Sequence, residues 1–216
     1  RVLSYLHLLS DAGLKVDALD IGPAALARVV KHTCARRYPD YPALPNALLI
    51  NFGADCSYLT VVWGRRIVLD RVIDFSERGI FERLHTALDM SHELATRMLC
   101  GPGDCAHAQD EGRRIVEEVI RPDLLLLHQE INKTLVYMAS RTRGKSVDCV
   151  FLAGPVARYG SVVASLQAQL RIPVHILNPV LDFAGVPQGG YDESLGTTAG
   201  MALAAGLCLR GVPEYE

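Results

Sequence analysis

Asn51, Gly53, Asp55 and Ser57 crowd a bend that directly follows the apolar run from Ala47 to Ile50. That composition suits a turn that grips phosphate. A glycine lets backbone N–H groups approach an anion with no Cβ in the way, and a short polar side chain orients Mg²⁺ or a water. The same residues also suit a plain connection between two strands. Which of the two it is largely decides whether the chain is an enzyme.

The other candidates for chemistry fail on spacing. "RGKS" (143–146) ends like a Walker A loop, but Ala139 stands where the loop needs its first glycine, and the segment follows a helical pattern instead of a strand. "GPGDCA" (101–106) lacks the third glycine of a dinucleotide fingerprint, and no strand precedes it. Cys100, Cys105 and His107, with His85 and His92 upstream, are zinc-type ligands. Their C-x4-C spacing is loose, however, and no second regular Cys/His pair follows, so a loop with two thiols and a surface histidine is expected, without metal. No Gly-x-Ser-x-Gly elbow occurs. Asp148 and Asp182 flank strands and are expected to act as hydrogen-bonded caps. No catalytic residue is therefore expected.

What must position the 51–57 bend is a set of strands. Residues 47–51, 58–63 and 66–73 read as three, the last two joined by a two-residue turn at Gly64-Arg65. Upstream, leucines at helical spacing predict a helix over 1–14 that stops at Gly13, "KVDALDI" (15–21) alternates like a strand, and Pro23 opens a helix over 24–37. The Pro-rich 38–46 connects. Downstream, helices are expected at 77–88 and at 91–99, the second with Ser91 as N-cap. A loop follows over 100–112, and then a long helix over 113–140. Its stripe is Ile120, Leu124, Leu127, Ile131, Leu135 and Met138, and Pro122 should kink or restart it. A buried strand (147–154), a helix (161–170), a short strand (174–177), a loop (178–193) and a helix (194–210) complete an α/β layered fold with a partly parallel sheet. Gly196, Gly200 and Ala204 give that last helix one smooth face, suited to a dimer seam or, as preferred here, to lying tight on the sheet.

Bulk composition narrows the function. The chain has 216 residues, 50% of them hydrophobic and 21% charged, which indicates a folded globular protein. With 22 basic against 24 acidic residues and no dense Lys/Arg block, nucleic acid is not an expected partner. Six scattered cysteines lack the pattern of a disulfide scaffold and fit a reducing, cytoplasmic setting. The most membrane-like stretch, residues 199–209, is about half the ~20 apolar residues that a span requires. Without an initiator Met, the sequence is expected to be a piece of a longer protein.

Six segments taken in order, "AGLKVDALDIGPAALARVV", "LLINFGADCSYLTVV", "EEVIRPDLLLLHQEINKTLVYM", "VDCVFLAGPVARYGSV", "LRIPVHILNPV" and "SLGTTAGMALAAGL", resemble PilM-type type IV pilus assembly proteins. These belong to the actin-like superfamily of actin, sugar kinases, heat-shock chaperones and the cell-division protein FtsA. The resemblance implies an actin-like (ribonuclease H-like) α/β fold. Residues 1–45 would be the remnant of a truncated first subdomain, 46–193 an essentially complete second one, and 194–216 a helix packing back on the first. A cytoplasmic scaffold is implied, peripheral to the inner membrane, binding the cytoplasmic tail of a PilN-like protein and neighbouring copies of itself. The rival readings are an active ATPase or phosphotransferase of the superfamily, and the cytoplasmic domain of a type II secretion L-type protein.

The resemblance also places a site for ATP and Mg²⁺. Asn51, Gly53, Ala54 and Ser57 take the place of the second phosphate hairpin, commonly Asp-Ile-Gly-x followed by a hydroxyl residue. Gly154, Pro155 and Val156 fall in the adenosine segment, commonly Leu-Thr-Gly-Gly-x-Ala. The chain departs from both patterns. Asn51 is neutral, Tyr58 brings a ring beside the turn, Pro155 removes a backbone donor, and Ser76 and Glu77 fill a position where relatives carry Gly-Gly. The family's first phosphate loop would lie before Arg1. A degenerate nucleotide site that mainly joins two strands is the expectation.

Overall fold

The strand β1 (Ala47–Asn51) reads Ala-Leu-Leu-Ile-Asn, and its first four residues are buried. Apolar side chains on both sides of a strand require cover on both faces. β1 accordingly lies at the centre of a five-stranded sheet. The computed structural model describes residues 2–42, 44–100, 108–182 and 198–212.

β2 (Ser57–Trp63) and β3 (Arg66–Ile73) extend the sheet on one side as antiparallel neighbours, and β4 (Cys149–Ala153) and β5 (Val174–Ile176) extend it on the other as parallel ones, giving the order β3-β2-β1-β4-β5. The β2–β3 turn is the expected two-residue kind. Gly64 and Arg65 both have positive φ, +55° and +66°, which matches the twist of the flanking strands. A register shift between Val61 and Val62 marks a bulge in the same hairpin.

Alternate side chains divide the core into two layers. Leu48 and Ile50 face helices α3 (Glu77–Leu88), α4 (His92–Cys100), α5 (Ala108–Arg141) and α6 (Gly160–Gln169). Ala47 and Leu49 face α2 (Gly22–Arg37) and Ala202 of α8 (Ala202–Cys208). The stripe on α5 is as expected, and of the two effects expected of Pro122 the restart does not occur, since one helix of 34 residues runs from Ala108 to Arg141. An interior proline costs ~3 kcal/mol. Each large apolar residue buried along the stripe contributes roughly 1.5–3 kcal/mol, and Val116, Ile120, Leu124, Leu127, Ile131 and Met138 are all buried. Packing outweighs the lost donor.

Three other expectations need correction. Residues 15–21 form no strand: no described strand pairs with them, and Val16, Leu19 and Ile21 are exposed. Alternation makes a strand only where a neighbour takes up its backbone groups. They follow α1 (Val2–Asp11), a helix with no buried residue. In the last helix the smooth face differs from the expected one. Gly200 and Ala204 are exposed, Gly196 lies outside the described residues, and the close approach is made by Gly206, whose added Cβ would lie 2.1 Å from the Ala25 carbonyl oxygen. The expected loop at 178–193 begins instead with a short helix, α7 (Pro179–Asp182), its remainder lying outside the described residues.

The segment before the sheet is held by aromatic contacts. Tyr38 and Tyr41 pack on His175 of β5, with Tyr41 Oη 3.2 Å from His175 Nε2. Asp148 is a cap, as expected: its Oδ2 accepts from the Asn46 amide at 2.9 Å.

Candidate functional site

β1 and β4 run parallel in register, with Asn51 opposite Ala153, and β2 starts beside them with Tyr58 opposite Asn51. The sheet therefore gathers Asn51, Gly53, Ala54, Gly154, Pro155 and Val156 at the carboxyl ends of β1 and β4, with Ser57 at the amino end of the antiparallel β2. In α/β sheets this is the edge where ligands commonly bind.

Backbone contact there is close. The Phe52 amide donates to Ala153 O at 2.9 Å. Gly154 has φ +89° and ψ 175°, and a Cβ on it would fall 1.9 Å from the Phe52 carbonyl oxygen. Gly53 is equally constrained, since a Cβ there would lie 2.2 Å from Cys56 O. Both glycines are required by the joint between the strands, whatever it binds.

Many of the polar groups at the joint are engaged internally. The Gly154 amide donates to Ala199 O at 2.9 Å. Ser57 is fully buried and its hydroxyl donates to Phe75 O at 2.6 Å. Gly53 O and Ala54 O accept from the Glu77 and Arg78 amides at 3.1 and 3.0 Å. An open helix N-terminus is an anion site; at α3 these carbonyls and the Ser76 hydroxyl, which accepts from Gly79 N, take up the first-turn donors. By contrast, the Gly53, Ala54 and Asp55 amides make no intramolecular hydrogen bond among the described residues. The carboxylate of the turn, Asp55, pairs with Arg78 at 2.5 Å. A neutral Asn51 and a paired Asp55 fit Mg²⁺ poorly.

A cluster that the motif comparison indicated only at Glu77 fastens this site. Glu77 Oε1 accepts from Tyr159 Oη at 2.5 Å and from Arg158 Nη2 at 3.1 Å, tying the start of α3 to the 3-10 turn Pro155–Arg158. Tyr159 is fully buried. Burial, and the bond it donates to Glu77, raise its phenol pKa, so it remains a neutral donor. Arg158 also lies over the Tyr159 ring, 5.2 Å from its centroid. Nothing local in the sequence signals this trio, because its partners are 81 and 82 residues apart.

No three His, Cys, Asp or Glu side chains converge to hold a metal among the described residues. His92 stacks on Phe81 at 3.9 Å, while Cys105, His107, the segment 101–106 and the Asp182 side chain lie outside the described residues. "RGKS" forms the turn that closes α5, with Gly144 at φ +81° and its amide bonded to Ala139 O. No described helix is long and apolar enough to cross a membrane.

A family model described as type IV pilus assembly protein PilM matches residues 1–212. Among solved structures, a PilM-PilN type IV pilus biogenesis complex aligns with a TM-score of 0.70 at 24% identity, over 98% of this chain and 57% of that one. The ethanolamine utilization protein EutJ from Carboxydothermus hydrogenoformans gives 0.53 at 16% identity, over 91% and 58%. MreB5 of Spiroplasma citri bound to ADP gives 0.55 at 10% identity, over 95% and 63%. The chain thus spans less than two thirds of each of these structures. The shared fold is actin-like.

Proposed function

The chain belongs to the PilM family of type IV pilus assembly proteins, and from that premise we propose that it is part of an actin-like scaffold of pilus assembly that binds a PilN-like inner-membrane partner and carries a degenerate nucleotide site. In this reading residues 46–193 make the second actin-like subdomain, 1–45 the tail of the first, and the last helix returns to the first. The protein sits in the cytoplasm against the inner membrane through its partner and self-associates there.

The family match supports the pilus role, and the solved PilM-PilN complex supports the choice of partner. Recognition of a membrane protein's tail is expected to use an extended peptide in a groove, held by main-chain bonds and a few apolar pockets. The observation that favours a scaffold over an ATPase is the engagement of Ser57 by Phe75 O, of the Gly154 amide by Ala199 O and of Asp55 by Arg78. Ser57 and the Gly154 amide are committed to other partners, and Asp55 would have to exchange its exposed pair with Arg78 to bind a metal.

The second reading, retained nucleotide binding, draws on the three amides of Gly53, Ala54 and Asp55. Such a cradle binds anions through backbone donors alone. Calorimetry on the full-length gene product separates the two. A short N-terminal PilN-type peptide is expected to bind, and Mg-ATP to give no measurable heat at micromolar concentrations. Micromolar Mg-ATP binding with turnover would favour the enzyme, and silence from every candidate tail would count against the scaffold.

A further inference from the structure

At the end of the sheet opposite the 51–57 bend, the apolar and aromatic residues Trp63, Val68, Tyr137 and Met138 line a cavity of about 440 Å³ together with Arg141, Thr142, Arg143 and Lys145. No carboxylate lines it, and none of the three cations has an ion-pair partner among the described residues. A cation in the last turn of a helix normally complements the helix dipole, which accounts for Arg141. It does not account for Arg143 and Lys145, which lie past the end of α5 on a turn fixed by its own bonds. The Gly144 amide donates to Ala139 O at 2.8 Å, and Thr142 Oγ1 lies 2.7 Å from Lys145 O. The backbone that carries Arg143 and Lys145 is thus fixed beside the apolar side chains before anything binds, which spares binding the cost of ordering that turn.

We propose that this cavity docks an acidic peptide segment of a partner protein, with one apolar side chain against Trp63 and Tyr137 and flanking carboxylates on Arg141, Arg143 and Lys145. The chemistry selects this occupant. A free phosphate would match the cations but leave the aromatic residues uncovered. A bilayer is flat and cannot enter a concave pocket. β3 is an edge strand of the sheet, and Val68 belongs to it. A segment lying along it gains main-chain bonds as well as the side-chain pocket, and clustered arginines suit acidic sequences. The proposal does not depend on the pilus reading or on the nucleotide site.

Trp63 is the chain's single tryptophan, so its emission reports the cavity directly. Titration with the synthetic peptide Glu-Asp-Glu-Leu-Phe-Glu-Asp is expected to give a saturable change in emission that weakens at high salt. The exposed double substitution R141Q/K145Q should weaken it about tenfold, with an unchanged melting temperature. Tyr137→Ser, also exposed, should weaken it independently by removing part of the aromatic lining. The proposal is overturned if the peptide gives no saturable change, if the peptide with Lys at every acidic position binds equally, or if R141Q/K145Q binds like the parent. It is also overturned if inorganic phosphate alone reproduces the response, or if phosphatidylglycerol vesicles do so while the peptide does not.

Discussion

At Gly154 the backbone takes a left-handed φ of +89°, with the Phe52 carbonyl where a side chain would begin. Two penalties combine in any substitution there: conformational strain of roughly 1–3 kcal/mol and a clash with backbone that cannot rotate away. Gly154→Ala is therefore expected to destabilise the protein by about 3 kcal/mol or more, measured as a lower urea midpoint with unchanged m-value. A wild-type midpoint would show that the strand joint is looser than the geometry requires. The same joint explains the glycine at a site where the Ser57 hydroxyl and the Gly154 amide are engaged internally. Gly154 and Gly53 serve the chain crossing first, and a ligand only if one binds.

Between elements, α8 and α2 also approach closely at Gly206. Arg28 Nε donates to Gly206 O at 3.0 Å and pairs with Asp20, while Arg210 donates to Leu19 O at 2.7 Å, so three segments converge on one small-residue crossing. A side chain at Gly206 must displace the Ala25 carbonyl. Gly206→Val is expected to lower stability by about 2 kcal/mol or more, in the upper part of the range for overpacking. Gly200→Ala, where nothing lies within 4 Å, should change it little. Comparing the two melting temperatures tests whether Gly206, and not the expected Gly200–Ala204 face, is the seam.

For the molecule as a whole, folding opposes protonation at one buried imidazole, His128, and one half-buried one, His175. Burial lowers the pKa of His128 and of His175 below the ordinary histidine value of 6.5. As pH falls through 6.5 the unfolded chain takes up protons that the folded chain refuses, so the stability present above that pH is lost toward the folded pKa values. The melting temperature should drop between pH 7.5 and 5.5, and His128→Gln, which can still reach Ser165 from its 3.0 Å partner position, should shrink the drop. An equal drop in the variant would assign the effect elsewhere. What the sequence determined by itself was whatever depends on local pattern. The apolar runs of β1 and β4, the Gly64-Arg65 turn, the stripe on α5 and the Ser91 cap were all legible, because periodicity and turn chemistry act over a few residues. The order of six short segments carried the family. Tertiary structure alone decided the rest: that 15–21 finds no strand partner, that Pro122 is tolerated, that Gly206 is the close contact, and that Glu77, Arg158 and Tyr159 meet. Each of these depends on which surfaces the fold brings together across the chain, and spacing along the sequence carries no record of that.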